Sequence, residues 1–417
     1  MKYSVISPTK LNANVPLPAS KSMSNRALII YALSGGMRLP ENLSDCDDTR
    51  VIIEALRYMP DVIDIKAAGT AMRFMTAYLS VMRGTHVITG TERMKHRPIS
   101  VLVEALRKLG ADIEYESVEG FPPLRITGRT LTGGVLEIPG DVSSQYISAL
   151  LMIGPVLKDG LELRLTGDII SRPYIDLTLW MMREFGADAD WSSGDTISVQ
   201  PQPYKSRDYF IESDWSGASY WYEMVALSRD RDATIHLSGL TDGSKQGDSV
   251  VKYIFSLLGV KTIFETREEG CLQMVTLKKS GRCVPRLEYD FVNSPDLTQT
   301  VAATCCALGV KFHFRGLSTL KIKETDRIEA LKTEMLKIGC VLKDVDSREL
   351  IWDGTRVAVA AEVPVIDTYD DHRMALAFAP VSLRHPVCIN NPQVVSKSYP
   401  NFWHDLRDAG FTISAAE

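Results

Sequence analysis

Residues 101–116 read VLVEALRKLGADIEYE, and a change of period inside that stretch decides the architecture. Up to Leu109 the apolar side chains recur at helical spacing, Gly110 stops the helix, and from Ala111 apolar and polar residues alternate as in a strand. The phrase returns as VIIEALRYMPDVIDIK at 51–66, LTLWMMREFGADADW at 177–191 and VVKYIFSLLGVKTIFE at 250–265. Two more copies are EALKTEMLKIGCVLKDV at 329–345 and FWHDLRDAGFTIS at 402–414. The copies stand roughly 50 to 80 residues apart, beyond the period of about 20 to 50 typical of a solenoid, so each marks a unit with further strands and helices of its own. Six α/β units are expected.

At 417 residues the chain exceeds what one hydrophobic core serves, so two domains are expected. A seam falls at Gln200-Pro201-Gln202-Pro203-Tyr204, where prolines and polar residues interrupt the pattern and leave three copies on each side. That symmetry predicts two similar domains facing each other across a cleft, a usual place for a ligand. The composition, 45% hydrophobic and 24% charged, is that of a soluble protein. No apolar run spans a bilayer, and MKYSVISPTKL at the start reads as a strand and turn rather than a signal peptide, so a cytoplasmic protein is expected. Seven cysteines without a C-x-x-C pair fit reduced thiols, and seven histidines without an i, i+4 pair give no zinc site. A net charge of −5 argues against nucleic-acid or membrane surfaces as partners. Any anion site must then be a local basic cluster.

Such clusters recur where helices begin. In LPASKSMSNRA, 17–27, Pro16 and Pro18 hold the approach extended, Ser20 or Ser22 can cap the following apolar run, and Lys21 and Arg26 flank its start. AGTAMR, 68–73, offers Gly69 for close backbone approach, Thr70 as a cap and Arg73 one turn in. ERMKHRP, 92–98, packs Arg93, Lys95 and Arg97 into five residues. Ser143, Ser144 and Gln145 head the helix YISALLMIG, and Ser171-Arg172-Pro173-Tyr174 repeats the device. In the second half Lys323 and Arg327 are spaced i, i+4 with Glu324 beside them, which predicts one helix face. Asp296 heads the helix QTVAATCCAL, Asp370-Asp371-His372-Arg373 opens MALAFAPVSL, and Lys397 lies in the turn before YPNFW. Together these helix starts suit a substrate with several negative charges. Lys21-Ser22 lacks the upstream glycines of a nucleotide-binding loop, S-T-L-K at 318–321 has no K-T-G or S-D-N companion, and no G-x-G-x-x-G follows a strand.

LPASKSMSNRA, AGTAMR, ERMKHRP, GDVSSQY, SRPYIDLTL, KETDRIEAL, YDDHRMALAF and VVSKSYPNFW, in this order and across nearly the whole chain, resemble the 5-enolpyruvylshikimate-3-phosphate synthases, members of the enolpyruvyl transferases. The resemblance implies an α/β fold of two similar domains, each of three βαβαββ units, with the active site in the interdomain cleft. Residues 19–212 would form the first domain, binding mainly shikimate 3-phosphate. Residues 1–18 and 213–417 would form the second, closing over the cleft and supplying catalytic carboxylates and phosphoenolpyruvate contacts. It further implies transfer of the enolpyruvyl group of phosphoenolpyruvate to the 5-hydroxyl of shikimate 3-phosphate, in the shikimate pathway to aromatic amino acids, by a monomer without metal or organic cofactor.

Carried onto this sequence, the resemblance makes Ser22, Arg26, Ser143, Ser144, Gln145, Ser171, Tyr174 and Lys323 shikimate 3-phosphate contacts. It makes Lys21, Gly69, Arg93, Gln145, Arg327, Arg373 and Lys397 phosphoenolpyruvate contacts, with Lys21 touching both substrates. Asp296 resembles the base at the 5-hydroxyl, and Glu324 the carboxylate that handles the proton at the methylene carbon. Two substrates with two phosphates and two carboxylates repel, and converging cations in a closed site hold them within bonding distance. The chain departs from the family in having Ala67 and Thr319 where asparagines are usual. The related transferase acting on UDP-N-acetylglucosamine has a Lys-Asn pair and a loop cysteine, whereas Lys21 is followed by Ser22. A non-catalytic anion-binding paralogue would not need Lys21, Asp296, Glu324 and Arg373 intact. Gly69 sits where the family's response to glyphosate is often decided, and its bare Cα predicts sensitivity.

Overall fold

A computed structural model of the chain describes residues 1–36, 38–265, 273–359 and 361–416, which leaves Cys271 outside the described residues. The backbone divides into two compact units, Ala19–Ile211 and Met1–Pro18 with Glu212–Glu417. The division falls beyond the proline-rich stretch at 200–204, because Tyr204 is buried in the first unit with its hydroxyl donated to Met152 O at 2.8 Å.

One sheet pattern recurs. In the Ala19–Ile211 unit, Val62–Asp64 runs parallel to Gly84–Thr89, which pairs antiparallel with Leu124–Gly128, itself antiparallel to Asp112–Tyr115. Gly134–Pro139, Leu161–Thr166, Thr196–Val199 and Ala189–Trp191 repeat that order. The other unit repeats it three times: Asn12–Pro16, Thr234–Leu240, Gln273–Lys279 and Val260–Glu265; Arg286–Asp290, Lys311–Arg315, Glu349–Trp352 and Lys343–Val345; Val365–Ile366, Val387–Asn390, Lys2–Ile6 and Thr412–Ala416. Each parallel pair needs a crossover, and a helix supplies it. The N-terminal strands explain the discontinuous unit: Lys2–Ile6 and Asn12–Pro16 each complete a sheet whose other strands lie beyond residue 212.

Among the described residues five four-stranded sheets stand where the repeat predicts six units. The helices Lys21–Leu33 and Asp47–Tyr58 close no sheet of their own: the strand that ends their phrase, Val62–Asp64, opens the next sheet, and a single bridge joins Glu41 to Phe210.

The helices fall into two kinds. Those that end in the repeated phrase bury one face, as Ser100–Lys108 buries Leu102, Val103, Ala105 and Leu106. Gly110, Gly186, Gly259, Gly339 and Gly410 follow them with φ of +100°, +81°, +89°, +84° and +93°, the left-handed conformation that lets the chain reverse into a strand. In the copy that has Pro60, Met59 takes that role at φ +40°. The second kind is buried nearly all round: every residue from Met23 to Tyr31 in Lys21–Leu33, from Ala71 to Ser80 in Gly69–Val81, and from Tyr146 to Ile153 in Ser144–Ile153. These three inner helices pack on one another. In the other unit Thr298–Leu308 packs against both Trp215–Leu227 and His372–Phe378. Two cores result, one per unit.

Candidate active site

Most of the residues singled out from the sequence stand at the N-terminal ends of inner helices, where backbone N–H groups have no partner within the helix. In the Ala19–Ile211 unit Ser20 caps Lys21–Leu33, accepting from Met23 N at 3.4 Å and lying 3.1 Å from Ser22 Oγ. Lys21 Nζ, about one-fifth exposed, lies 3.5 Å from Asp48, a residue given no role in the sequence. Arg26 is buried, and its described hydrogen bonds go to neutral oxygens: Thr178 Oγ1 at 2.7 Å, Ser22 O at 2.9 Å, Ser148 Oγ at 3.1 Å and Tyr174 O at 3.3 Å. Burial pushes its pKa down to about 10, with Tyr174 opposing the shift, which leaves it charged at neutral pH. Arg26 also faces the Phe74 ring at 5.4 Å.

The start of Gly69–Val81 differs from expectation. Ala68 occupies the cap position, no side chain caps the helix, and the Thr70 hydroxyl instead accepts from Gln145 Nε2 at 3.1 Å. That bond sets the first turns of Gly69–Val81 and Ser144–Ile153 side by side. Arg73, buried, donates to Gly69 O at 3.0 Å and Pro98 O at 3.3 Å, and Tyr146 OH donates to Pro98 O at 2.5 Å. Ser143 caps its helix through Gln145 N, with Ser144 next to it. Ser171 holds a left-handed conformation, φ +53°, at the head of Arg172–Glu184 and offers no side-chain cap. Arg172 turns away to cover the Trp191 ring at 3.9 Å. Arg93 is exposed.

The other unit gathers charge around Asp296, which sits in the 3-10 turn Pro295–Leu297 ahead of Thr298–Leu308. Arg373 Nη2 donates to it at 2.7 Å, Arg327 Nη1 at 2.9 Å, and Lys323 Nζ lies 3.7 Å away. Lys323 and Arg327 do not share a helix face as their spacing predicts. Asp326 caps a helix that begins only at Arg327, and Lys323 is extended before it. Both reach Asp296 nonetheless. Arg327, 1% exposed, also donates to Glu324 at 2.8 Å and to Asp371 at 2.7 and 3.3 Å, so four of its five N–H donors face protein carboxylates. Burial alone would lower its pKa, but Asp371, Glu324 and Asp296 together raise it.

Asp371, fully buried, carried no assignment in the sequence. It fixes both arginines, through the side chain of Arg327 and through the backbone N–H of Arg373, whose helix it caps at 3.0 Å. The adjacent Asp370 points elsewhere: it accepts from Asn391, and its carbonyl receives Lys397 Nζ at 2.8 Å. Tyr220 OH meets Arg373 at 3.3 Å. Asp248, also unassigned in the sequence, accepts from Ser216; burial first and then the charge of Asp296 push its pKa up to about 6. Thr319 has a buried hydroxyl with no hydrogen-bond partner among the described residues.

Each unit thus has its own cluster, cations among hydroxyls in one and cations around carboxylates in the other, groups of the kinds that bind anions and move protons. Comparison with known proteins gives them a context. The family described as EPSP synthase (3-phosphoshikimate 1-carboxyvinyltransferase) matches residues 5–63 and 58–406. The chain is 60% identical over 418 residues to a 3-phosphoshikimate 1-carboxyvinyltransferase of Bacteroides fragilis, covering 100% of both. It is 34% identical over 429 residues to the protein of that name from Aliivibrio fischeri, covering 96% of this chain and 97% of the other. Its fold is similar to that of an EPSP synthase from Acinetobacter baumannii, with a TM-score of 0.76 at 20% identity over 99% of this chain and 100% of that one. The chain belongs to the EPSP synthase family.

Proposed function

We propose that this chain is a 3-phosphoshikimate 1-carboxyvinyltransferase: it transfers the enolpyruvyl group of phosphoenolpyruvate to the 5-hydroxyl of shikimate 3-phosphate and releases phosphate. The observation that carries the reading is the set of three cations, Lys323, Arg327 and Arg373, on the single carboxylate of Asp296, with Glu324 on the same arginine. A base placed among cations sits next to where anionic substrates bind.

In this proposal Ser22, Arg26, Ser143, Ser144, Gln145, Ser171, Tyr174 and Lys323 hold shikimate 3-phosphate. Gly69, Arg93, Gln145, Arg327, Arg373 and Lys397 hold phosphoenolpyruvate, and Lys21 serves both. Asp296, aided by Lys21, takes the proton of the 5-hydroxyl as its oxygen bonds to C2 of phosphoenolpyruvate, and Glu324 delivers a proton to C3. In the resulting tetrahedral intermediate the C3 methyl group then gives up a proton, the C2–C3 double bond re-forms, and the bond from C2 to the phosphate oxygen breaks. Lys21, Arg93 and Lys397 stabilise the departing phosphate. The same proposal has a cytoplasmic monomer that uses no metal or organic cofactor; no helix among the described residues is long and apolar enough to cross a membrane.

The test is to incubate the purified chain with both substrates and identify the product as the 5-carboxyvinyl ether. Asp296→Ala and Glu324→Ala should each lower kcat by about 100-fold or more, as removal of a proton-transfer group does. Wild-type turnover in both variants would refute the assignment.

A further inference from the structure

The turn that carries Asp370 and Asp371 has an uncommon backbone. Tyr369 and Asp370 both lie in the left-handed region, at φ +52° and +55°, where side chains other than glycine's crowd the main chain. Two such residues in succession persist only where their surroundings over-determine them, and strain of this kind collects at functional sites.

One face of the helix Arg327–Lys337 holds the turn. Arg327, at its first position, donates to Asp371 at 2.7 Å. Glu334, two turns further along the same face, is fully buried; one of its oxygens accepts from Tyr369 OH at 2.6 Å and the other from Asp367 N at 3.0 Å. Lys337 lies 2.8 Å from Glu334 and donates to Val365 O at 3.0 Å and to the Asp367 carboxylate at 2.8 Å. Within the turn Asp371 N donates to Thr368 O at 2.8 Å. The helix therefore grips residues 365–371 at both ends. A buried carboxylate is stable only when paired and hydrogen-bonded, and Glu334 meets that demand with this segment and Lys337. Tyr369 is 40% exposed, so its hydroxyl, more than the packing of its ring, ties it to the helix.

The turn so held has two effects. It sends the Asp371 side chain to Arg327 while the same carboxylate caps the helix that opens with His372 and Arg373. It also points the Asp370 carbonyl at Lys397 Nζ, 2.8 Å away. Arg327, Arg373 and Lys397 are the three cations that the proposed function gives to phosphoenolpyruvate in this unit. We propose that Glu334 and Tyr369 are positioning residues for that reaction: their hydrogen bond holds the left-handed turn, and the turn sets the three cations in register. The inference rests on the function proposed above.

The experiment measures kcat, both KM values and the urea midpoint for wild type, Tyr369→Phe, Glu334→Gln, Glu334→Ala and the double variant Glu334→Ala/Tyr369→Phe. Tyr369→Phe removes one hydroxyl from a half-exposed ring and should raise KM for phosphoenolpyruvate about 10-fold, within the roughly 100-fold that a misplaced contact can cost. KM for shikimate 3-phosphate should stay within about twofold, a split between substrates that a merely structural role would not produce. Glu334→Gln, which keeps an oxygen for only one of the two donors, should fall between wild type and Glu334→Ala. Tyr369→Phe should add little in the Glu334→Ala background, because the bond is already gone. Unchanged kinetic constants in Tyr369→Phe, an equal rise in both KM values, a lower urea midpoint with no kinetic change, or additive losses in the double variant would overturn the inference. If Glu334→Ala fails to fold, Tyr369→Phe and Glu334→Gln decide by the same split. An active wild type with an indifferent Tyr369→Phe sinks this inference alone, whereas a wild type inactive with both substrates present sinks the functional reading as well.

Discussion

Asp371 and Glu223 are both carboxyls without exposed surface in the discontinuous unit, yet their surroundings call for opposite charge states. Asp371 faces the Arg327 guanidinium through both oxygens and balances its charge, whereas burial pushes the Glu223 carboxyl well above the usual range and so favours its neutral form. Asp371→Asn should cost about 3 kcal/mol, since it leaves a buried guanidinium short of one counter-charge. It should also lower turnover, because Arg327 and Arg373 lose their common anchor. Glu223→Gln conserves shape and neutrality and should stay within about 1 kcal/mol. Urea denaturation at pH 7 compares them, and equal losses would contradict the charge assignment. At this scale the sequence was only partly readable. It displayed two adjacent aspartates, but which one turns inward depends on a left-handed pair, Tyr369 at φ +52° and Asp370 at φ +55°, that no local signal announces. Asp48 and Asp248 were equally silent, being ordinary acids until the fold brings Lys21 to one and Ser216 to the other.

Helices and strands were more legible because each is specified within one stretch of chain. All six copies of the repeated phrase form a helix followed by a strand, and the glycine stops take the left-handed conformation. Gly110 tests that stop cleanly, since φ is +100° and a Cβ there would meet nothing within 4 Å. Any loss in Gly110→Ala is therefore backbone strain, expected at about 1 kcal/mol in denaturant with kcat unchanged; a stabilised variant would contradict this account of the turn. Two elements were misread for physical reasons. The i, i+4 spacing of Lys323 and Arg327 looked helical, but the Asp326 cap starts the helix after Lys323. Thr70 looked like a cap, but its hydroxyl serves a neighbouring helix, a contact that spacing along one segment cannot reveal. The inner helices, buried nearly all round, carry candidate site residues at their starts, while the amphipathic helices carry the regular pattern that made the repeat visible.

For the whole molecule, the chain starts in one unit, builds the other from residue 19 to 211, and returns. The Ala19–Ile211 unit is thus inserted in the connection between Asn12–Pro16 and Thr234–Leu240, a parallel pair, and the excursion explains why the first eighteen residues complete sheets formed by the second half. Period and glycine stops foretold the repeated α/β units, but the reduction of the first to a helix pair with one bridge was invisible, since its phrase is as regular as the others. Family membership supports the reaction proposed above. The most direct test is phosphate release from phosphoenolpyruvate by the purified chain, with shikimate 3-phosphate as acceptor and, in parallel, with UDP-N-acetylglucosamine. Sustained release with shikimate 3-phosphate alone is the predicted result; release with UDP-N-acetylglucosamine, or with neither acceptor, would contradict the account.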